Sequence, residues 1–160
     1  MRVLVVHGTG RSDTAAAGHA VGAALAARGL EADVRSVDDD PDPSAHDALV
    51  VVGTQHRERW DHHLRHILRR RAHALRSMPV WLVGVVPAGD RSTVRVTAPV
   101  SQLGRLGARV RARGVVTLDL DGAEVPHPEV VDLVAADAGR DHVADFAAAV
   151  AGELAALAAA

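Results

Sequence analysis

Apolar residues gather in four short, β-branched and nearly continuous runs, at residues 3–6, 48–52, 80–86 and 115–118. A strand with one wet face would alternate, so unbroken runs of this length predict strands buried on both faces of a parallel sheet. Residues 30–37 do alternate, Leu30, Ala32 and Val34 against Glu31, Asp33 and Arg35, which predicts a half-exposed strand at a sheet edge. Between the runs the period lengthens to that of a helix. Residues 14–28 set Ala17, Val21 and Leu25 on one stripe, with Gly29 at the position of a helix C′ glycine. Trp60, Leu64, Ile67, Leu68 and Leu75 predict a second amphipathic helix, stopped by Pro79. Pro99 suits the first turn of a third helix, whose buried face is Leu103, Leu106 and Val110 before Gly114. Residues 129–136, after Pro126-His127-Pro128, predict an extra helical turn. The last helix starts near Arg140 and turns Val143, Phe146, Ala147, Val150, Leu154 and Leu157 inward.

The resulting order, βα-β-βα-βα-β-α, implies an α/β domain with a parallel sheet, right-handed crossovers and helices on both faces. A length of 160 residues fits a single domain over 1–160. Asp38-Asp39-Asp40-Pro41-Asp42-Pro43 is expected to be a surface loop, too short for an interdomain linker. A net charge of −2 provides no global field for nucleic acid or an anionic membrane. The chain has no cysteine, which excludes disulfides, thiolate catalysis and zinc ribbons. It also has no lysine, which excludes Schiff-base chemistry and a Walker loop. The leading apolar run meets Gly8 too early for a signal peptide, and no segment approaches the ~20 apolar residues of a membrane span. A cytoplasmic protein with no membrane span is expected.

Ligands of open parallel sheets bind beyond the carboxyl ends of the strands, where the strand order reverses. Loops 7–14, 53–59, 87–95 and 119–127 reach that rim. The first, His7-Gly8-Thr9-Gly10-Arg11-Ser12-Asp13-Thr14, offers hydroxyls and free helix-start amides suited to a phosphate. Asp13 stands where the dinucleotide fingerprint has its last glycine, and the same residues also serve as an ordinary helix N-cap. His7 is expected to pack or hydrogen-bond in the rim rather than act as a base. Ser92 and Ser101 lack the glycines of a nucleophile elbow. His62 and His66 stand one turn apart, but no third ligand at metal spacing accompanies them, so no metal site is expected. Arginine and histidine crowd residues 57–76, which reads either as a solvated face beside the acidic loop or as a surface for an acidic partner.

The stretch from Val3 to Thr14 resembles the strand and phosphate loop of the flavodoxin-like family. Gly53-Thr54-Gln55-His56 resembles that family's second flavin-side loop. Pro79-Val80-Trp81-Leu82, Pro87-Ala88-Gly89-Asp90 and Arg140-Asp141-His142 resemble the protoporphyrinogen oxidase-type branch of the family. The resemblance implies a three-layer sandwich whose five-stranded parallel sheet runs 2-1-3-4-5. It also implies bound FMN and an electron-transfer role or a small flavin-dependent oxidoreductase. By the same resemblance Thr9, Gly10, Arg11, Ser12, Asp13 and Thr14 hold the phosphate. Thr54, Gln55, His56 and Arg57 lie on one side of the flavin ring, and Pro87, Ala88, Gly89 and Asp90 on the other. A redox partner protein would then dock near the flavin rim and the Arg/His-rich helix. The phosphate loop is degenerate, with Ser12 in place of a glycine and Asp13 in place of Asn or Ser. These departures imply the alternative, a flavodoxin-fold domain that has lost its flavin and serves as a binding or regulatory module.

Overall fold

The computed structural model describes residues 1–9, 12–56, 59–60, 62–86, 112–119 and 142–160. Its strands are β1 (Arg2–His7), β2 (Glu31–Ser36), β3 (Ala48–His56), β4 (Arg59–Trp60), β5 (Val80–Val86) and β6 (Ala112–Asp119). The helices are α1 (Ser12–Ala26), α2 (His62–Arg70) and α3 (His142–Ala158), with 3-10 turns η1 (Val37–Asp39), η2 (Pro43–Ala45) and η3 (Ala74–Arg76). The path through the sheet is β2-β1-β3-β5-β6, every step parallel, while β4 pairs antiparallel with β3.

Alternation along the central strands sorts the core into two layers. Val3, Val5, Val50, Val52, Trp81 and Val83 pack under α1 and α3, together with Val21, Leu25, Phe146, Val150 and Leu154. Leu4, Val6, Leu49, Val51, Val80 and Leu82 face the other way, under Leu64, Ile67 and Leu68 of α2 and Leu75 of η3. Both layers are dry, which is why the strands read as continuous apolar runs rather than as alternating ones. β2 ends the sheet; Glu31 and Arg35 are exposed and Ala32 and Val34 half-buried, as the alternation predicts, but Asp33 is half-buried as well.

α1 closes in a Schellman motif. Gly29 adopts φ +81°, Leu30 N–H donates to Leu25 O at 3.3 Å, and Gly29 N–H donates to Ala26 O at 2.9 Å. Inside the same helix Gly22 is needed for space. A Cβ there would lie 2.4 Å from Val34 Cγ2, so the bare backbone lets α1 settle on the edge strand.

Four expectations need correction. Residues 54–56 continue β3 rather than forming a loop, because Thr54 pairs with Val85 and then Gln55 and His56 pair with Trp60 and Arg59. Trp60 accordingly belongs to β4, and α2 begins only at His62. Leu75 is buried but sits in η3, since α2 ends at Arg70 and is followed by turn residues. β6 starts at Ala112 instead of Val115. Its register with β5 advances three residues, Ala112 to Val115, against two from Val80 to Leu82, so the strand absorbs Gly114 in a bulge. The helix expected after Pro99 and the helical turn at 129–136 lie outside the described residues. No helix among the described residues is long and apolar enough to cross a membrane.

Candidate functional site at the carboxyl rim of the sheet

β1 and β3 are neighbours, yet the chain leaves β1 for β2 on one side and leaves β3 for β5 on the other. Helices on opposite faces therefore diverge at the carboxyl ends of β1 and β3 and open a crevice there. The sequence fills it with the expected segments. His7 pairs with Val52, and Gly8 N–H donates to Val52 O at 2.9 Å, so the first turn leaves the sheet against the end of β3. Thr9 follows, and α1 starts at Ser12 with Asp13 and Thr14 in its first turn. Thr14 is buried, only 1% exposed.

His7 is half-buried under α1. Its ring centroid lies 5.9 Å from that of His19, and its Nδ1 lies 3.1 Å from Gly8 O. Gly18 makes room for it, since a Cβ there would come within 3.0 Å of His7 Cβ. This is the packing role expected of His7, and it leaves the ring wedged between strand and helix.

Thr54, Gln55 and His56 form the last residues of β3, next to the end of β1 on one side and of β5 on the other. Gly10, Arg11, Arg57, Pro87, Ala88, Gly89 and Asp90 lie outside the described residues. β5 ends at Val86, immediately before that third segment. The backbone thus brings Thr9, residues 12–14 and residues 54–56 to the carboxyl ends of β1 and β3. It adds one residue the sequence pattern did not assign there, Trp60, which β4 places opposite Gln55. Its spacing of four from Leu64 read as a helical stripe, and only the hairpin pairing reveals its place.

Beside the crevice, α2 faces the acidic loop. Arg70 Nη2 lies 3.0 Å from Asp40 Oδ2, Arg71 reaches Asp40 at 3.5 Å and Asp42 at 3.8 Å, and His63 Nδ1 lies 3.6 Å from Asp38. Arg71 also donates to the Asp40 carbonyl at 3.1 Å. Asp42 is held below its usual value, first by the Ser44 N–H and then by the Ser44 hydroxyl, against the opposing cost of desolvation, with Arg71 and His46 adding lesser pulls. Part of the basic character read in the sequence is therefore neutralised by Asp38–Asp42. Among the described residues no group of three or more His, Asp and Glu side chains is arranged to hold a metal ion.

No family model matches the chain, and no curated protein matches it. Solved structures do. The chain is similar to two-electron reduced Megasphaera elsdenii flavodoxin, with a TM-score of 0.66 at 18% identity over 94% of this chain and 98% of that one. It is similar to oxidised flavodoxin 1 of Bacillus cereus, with a TM-score of 0.62 at 12% identity over 93% and 96%. A flavodoxin of Streptococcus pneumonia TIGR4 superposes with a TM-score of 0.60 at 17% identity over 98% and 99%. At these identities what is shared is architecture: the chain has the flavodoxin-like α/β fold, a parallel sheet between two helical layers.

Proposed function

We propose that this chain binds FMN and acts as a flavodoxin-like electron carrier or small flavin-dependent oxidoreductase. The observation carrying this reading is the turn from β1 into α1, which opens at the strand-order reversal and ends on the amide-rich start of a 15-residue helix. Bound FMN would supply the electron chemistry, and the protein's part is grip and orientation. Gly8 adds no donor, because its N–H already serves Val52 O, so holding the phosphate falls to Thr9, Gly10, Arg11, Ser12, Asp13 and Thr14. By residue type they suit an anion through hydroxyls and amides, and the set pairs one arginine with one aspartate. Thr54, Gln55, His56 and Arg57 would line one side of the ring, joined by Trp60, and Pro87, Ala88, Gly89 and Asp90 the other. Electrons would pass to a redox partner docking at this rim near α2.

A second reading rests on Asp13. It is an acidic residue in the first turn of α1, the kind of residue that helix N-termini favour without any ligand. In that case the domain serves as a binding or regulatory module without flavin.

The absorbance spectrum of protein purified without added cofactor separates the two. Flavin bands, and a melting temperature that rises on adding FMN, are expected from the first reading. A colourless protein that FMN fails to stabilise overturns it. Thr14→Ala is expected to weaken FMN binding about tenfold, as loss of one hydrogen bond to a charged group does. Thr14→Ser, which keeps the hydroxyl, is expected to bind as the parent does. Fluorescence quenching of FMN reads both, and equal affinities in all three proteins would remove Thr14 from the cradle.

A further inference from the structure

We propose that the groove between η1 and α2 receives a segment of a partner protein rich in aspartate or glutamate. The groove has a volume of about 600 Å3, with Val37, Asp38 and Asp40 on one wall and α2 on the other, where His66, Arg69 and Arg70 are exposed and Arg65 is half-buried. The basic side chains of α2 fall into two sets. His63 and Arg70 turn to the loop and meet Asp38 and Asp40 at 3.6 and 3.0 Å. Arg65, His66 and Arg69 have no ion pair among the described residues, although all three line the same groove. The acidic loop therefore neutralises one flank of the helix and leaves the crest cationic.

The spacing of that crest selects the shape of its occupant. Arg65 and Arg69 are one helical turn apart, which puts their Cβ atoms roughly 5–6 Å from each other. An extended chain carries same-face side chains about 7 Å apart, so alternate carboxylates of a strand-like segment match the two guanidiniums. A continuous phosphate backbone fits less well. Two of the chain's three aromatic residues, Trp81 and Phe146, are buried and unable to stack on bases, whereas Asp38 and Asp40, which share the groove, oppose any polyanion alike. The inference stands apart from the flavin reading, because η1, α2 and the groove are formed by protein residues alone.

The test is fluorescence anisotropy of the intact chain, with and without FMN, against a labelled peptide alternating Glu and Gly. A DNA duplex of equal charge is the competitor. The peptide is expected to bind near 20 mM salt and to lose about tenfold in affinity by about 200 mM, as screened charge pairs do. Arg65→Glu with Arg69→Glu is expected to abolish binding. Arg65→Gln with Arg69→Gln, which adds no repulsion and spares the fold, is expected to weaken it about tenfold. Asp38→Asn is expected to tighten it. Absence of peptide binding at low salt overturns the proposal, as does unchanged affinity in the Gln variant or DNA binding as tight as the peptide's. Binding that is the same with and without FMN supports it whatever the flavin result.

Discussion

The two faces of the sheet keep their helices by different means. On one, α1 and α3, 15 and 17 residues long, lie over an apolar layer that includes Val21, Leu25, Trp81 and Leu154. Close approach of backbone, as at Gly22 against Val34, completes the fit. On the other, α2 has 9 residues and buries only Leu64, Ile67 and Leu68, with η3 contributing Leu75. Its outer side is tied to the acidic loop through Arg70 and Arg71. Area buried sets the energy of the first face, so salt should barely touch it. Exposed ion pairs are individually weak, so on the second face they fix where the helix lies more than how stable the protein is.

That contrast can be broken at four points. Leu154→Ala, fully buried under α3, should lose about 2–5 kcal/mol in chemical denaturation, with the same loss at low and high salt. A strong salt dependence would deny that packing alone holds this face. Gly22→Ala gains roughly 1 kcal/mol of helix propensity but must push Val34 aside, and a net loss of about 1 kcal/mol is expected. A more stable variant would show that β2 gives way freely. Arg71→Ala removes contacts to Asp40 and Asp42 and removes an alkyl stem from the apolar pocket that Arg71 lines together with Pro41 and Pro43, for about 1–2 kcal/mol, part of it vanishing in high salt. Equal losses at all salt concentrations would make Arg71 a packing residue only.

The smallest effect concerns acid. Burial would raise Asp33, but hydrogen bonding and charge attraction from Arg35 and His46 outweigh it and leave the carboxyl below its ordinary value of 3.8. A depressed folded value stabilises the protein above 3.8 and ceases to do so as pH falls through it. Asp33→Asn should therefore cost less than about 1 kcal/mol near neutrality, because the side chain is one-third exposed and screened, and progressively less as pH falls below 3.8. Thermal melts of both proteins across that range check the sign.

Much of this was legible in the sequence. The apolar runs marked β1, β3 and β5, alternation marked β2 as the edge, and Gly29 marked the end of α1, because each rests on local spacing. What escaped depends on partners far along the chain. Thr54, Gln55 and His56 are polar and follow Gly53, so nothing local says strand, yet β5 and β4 supply the pairing. Trp60 mimics a helical position until β4 is formed. Gly114 reads as a stop and is a bulge. At the site, the first turn was visible from its hydroxyls and glycines, whereas the pairing of Asp38–Asp42 with only one flank of α2 required three dimensions.

Asp40 adopts a left-handed conformation, φ 45° and ψ 52°, that few residues other than glycine hold without cost. Its carbonyl and carboxylate are both gripped by arginines of the opposite element, Arg71 by both and Arg70 by the carboxylate. The bend that gives the aspartate-rich corner its outline is thus imposed from outside that corner. A glycine at this position would relax the backbone and free Arg70 of its carboxylate while leaving Arg71 the carbonyl, trading a defined edge for a looser one.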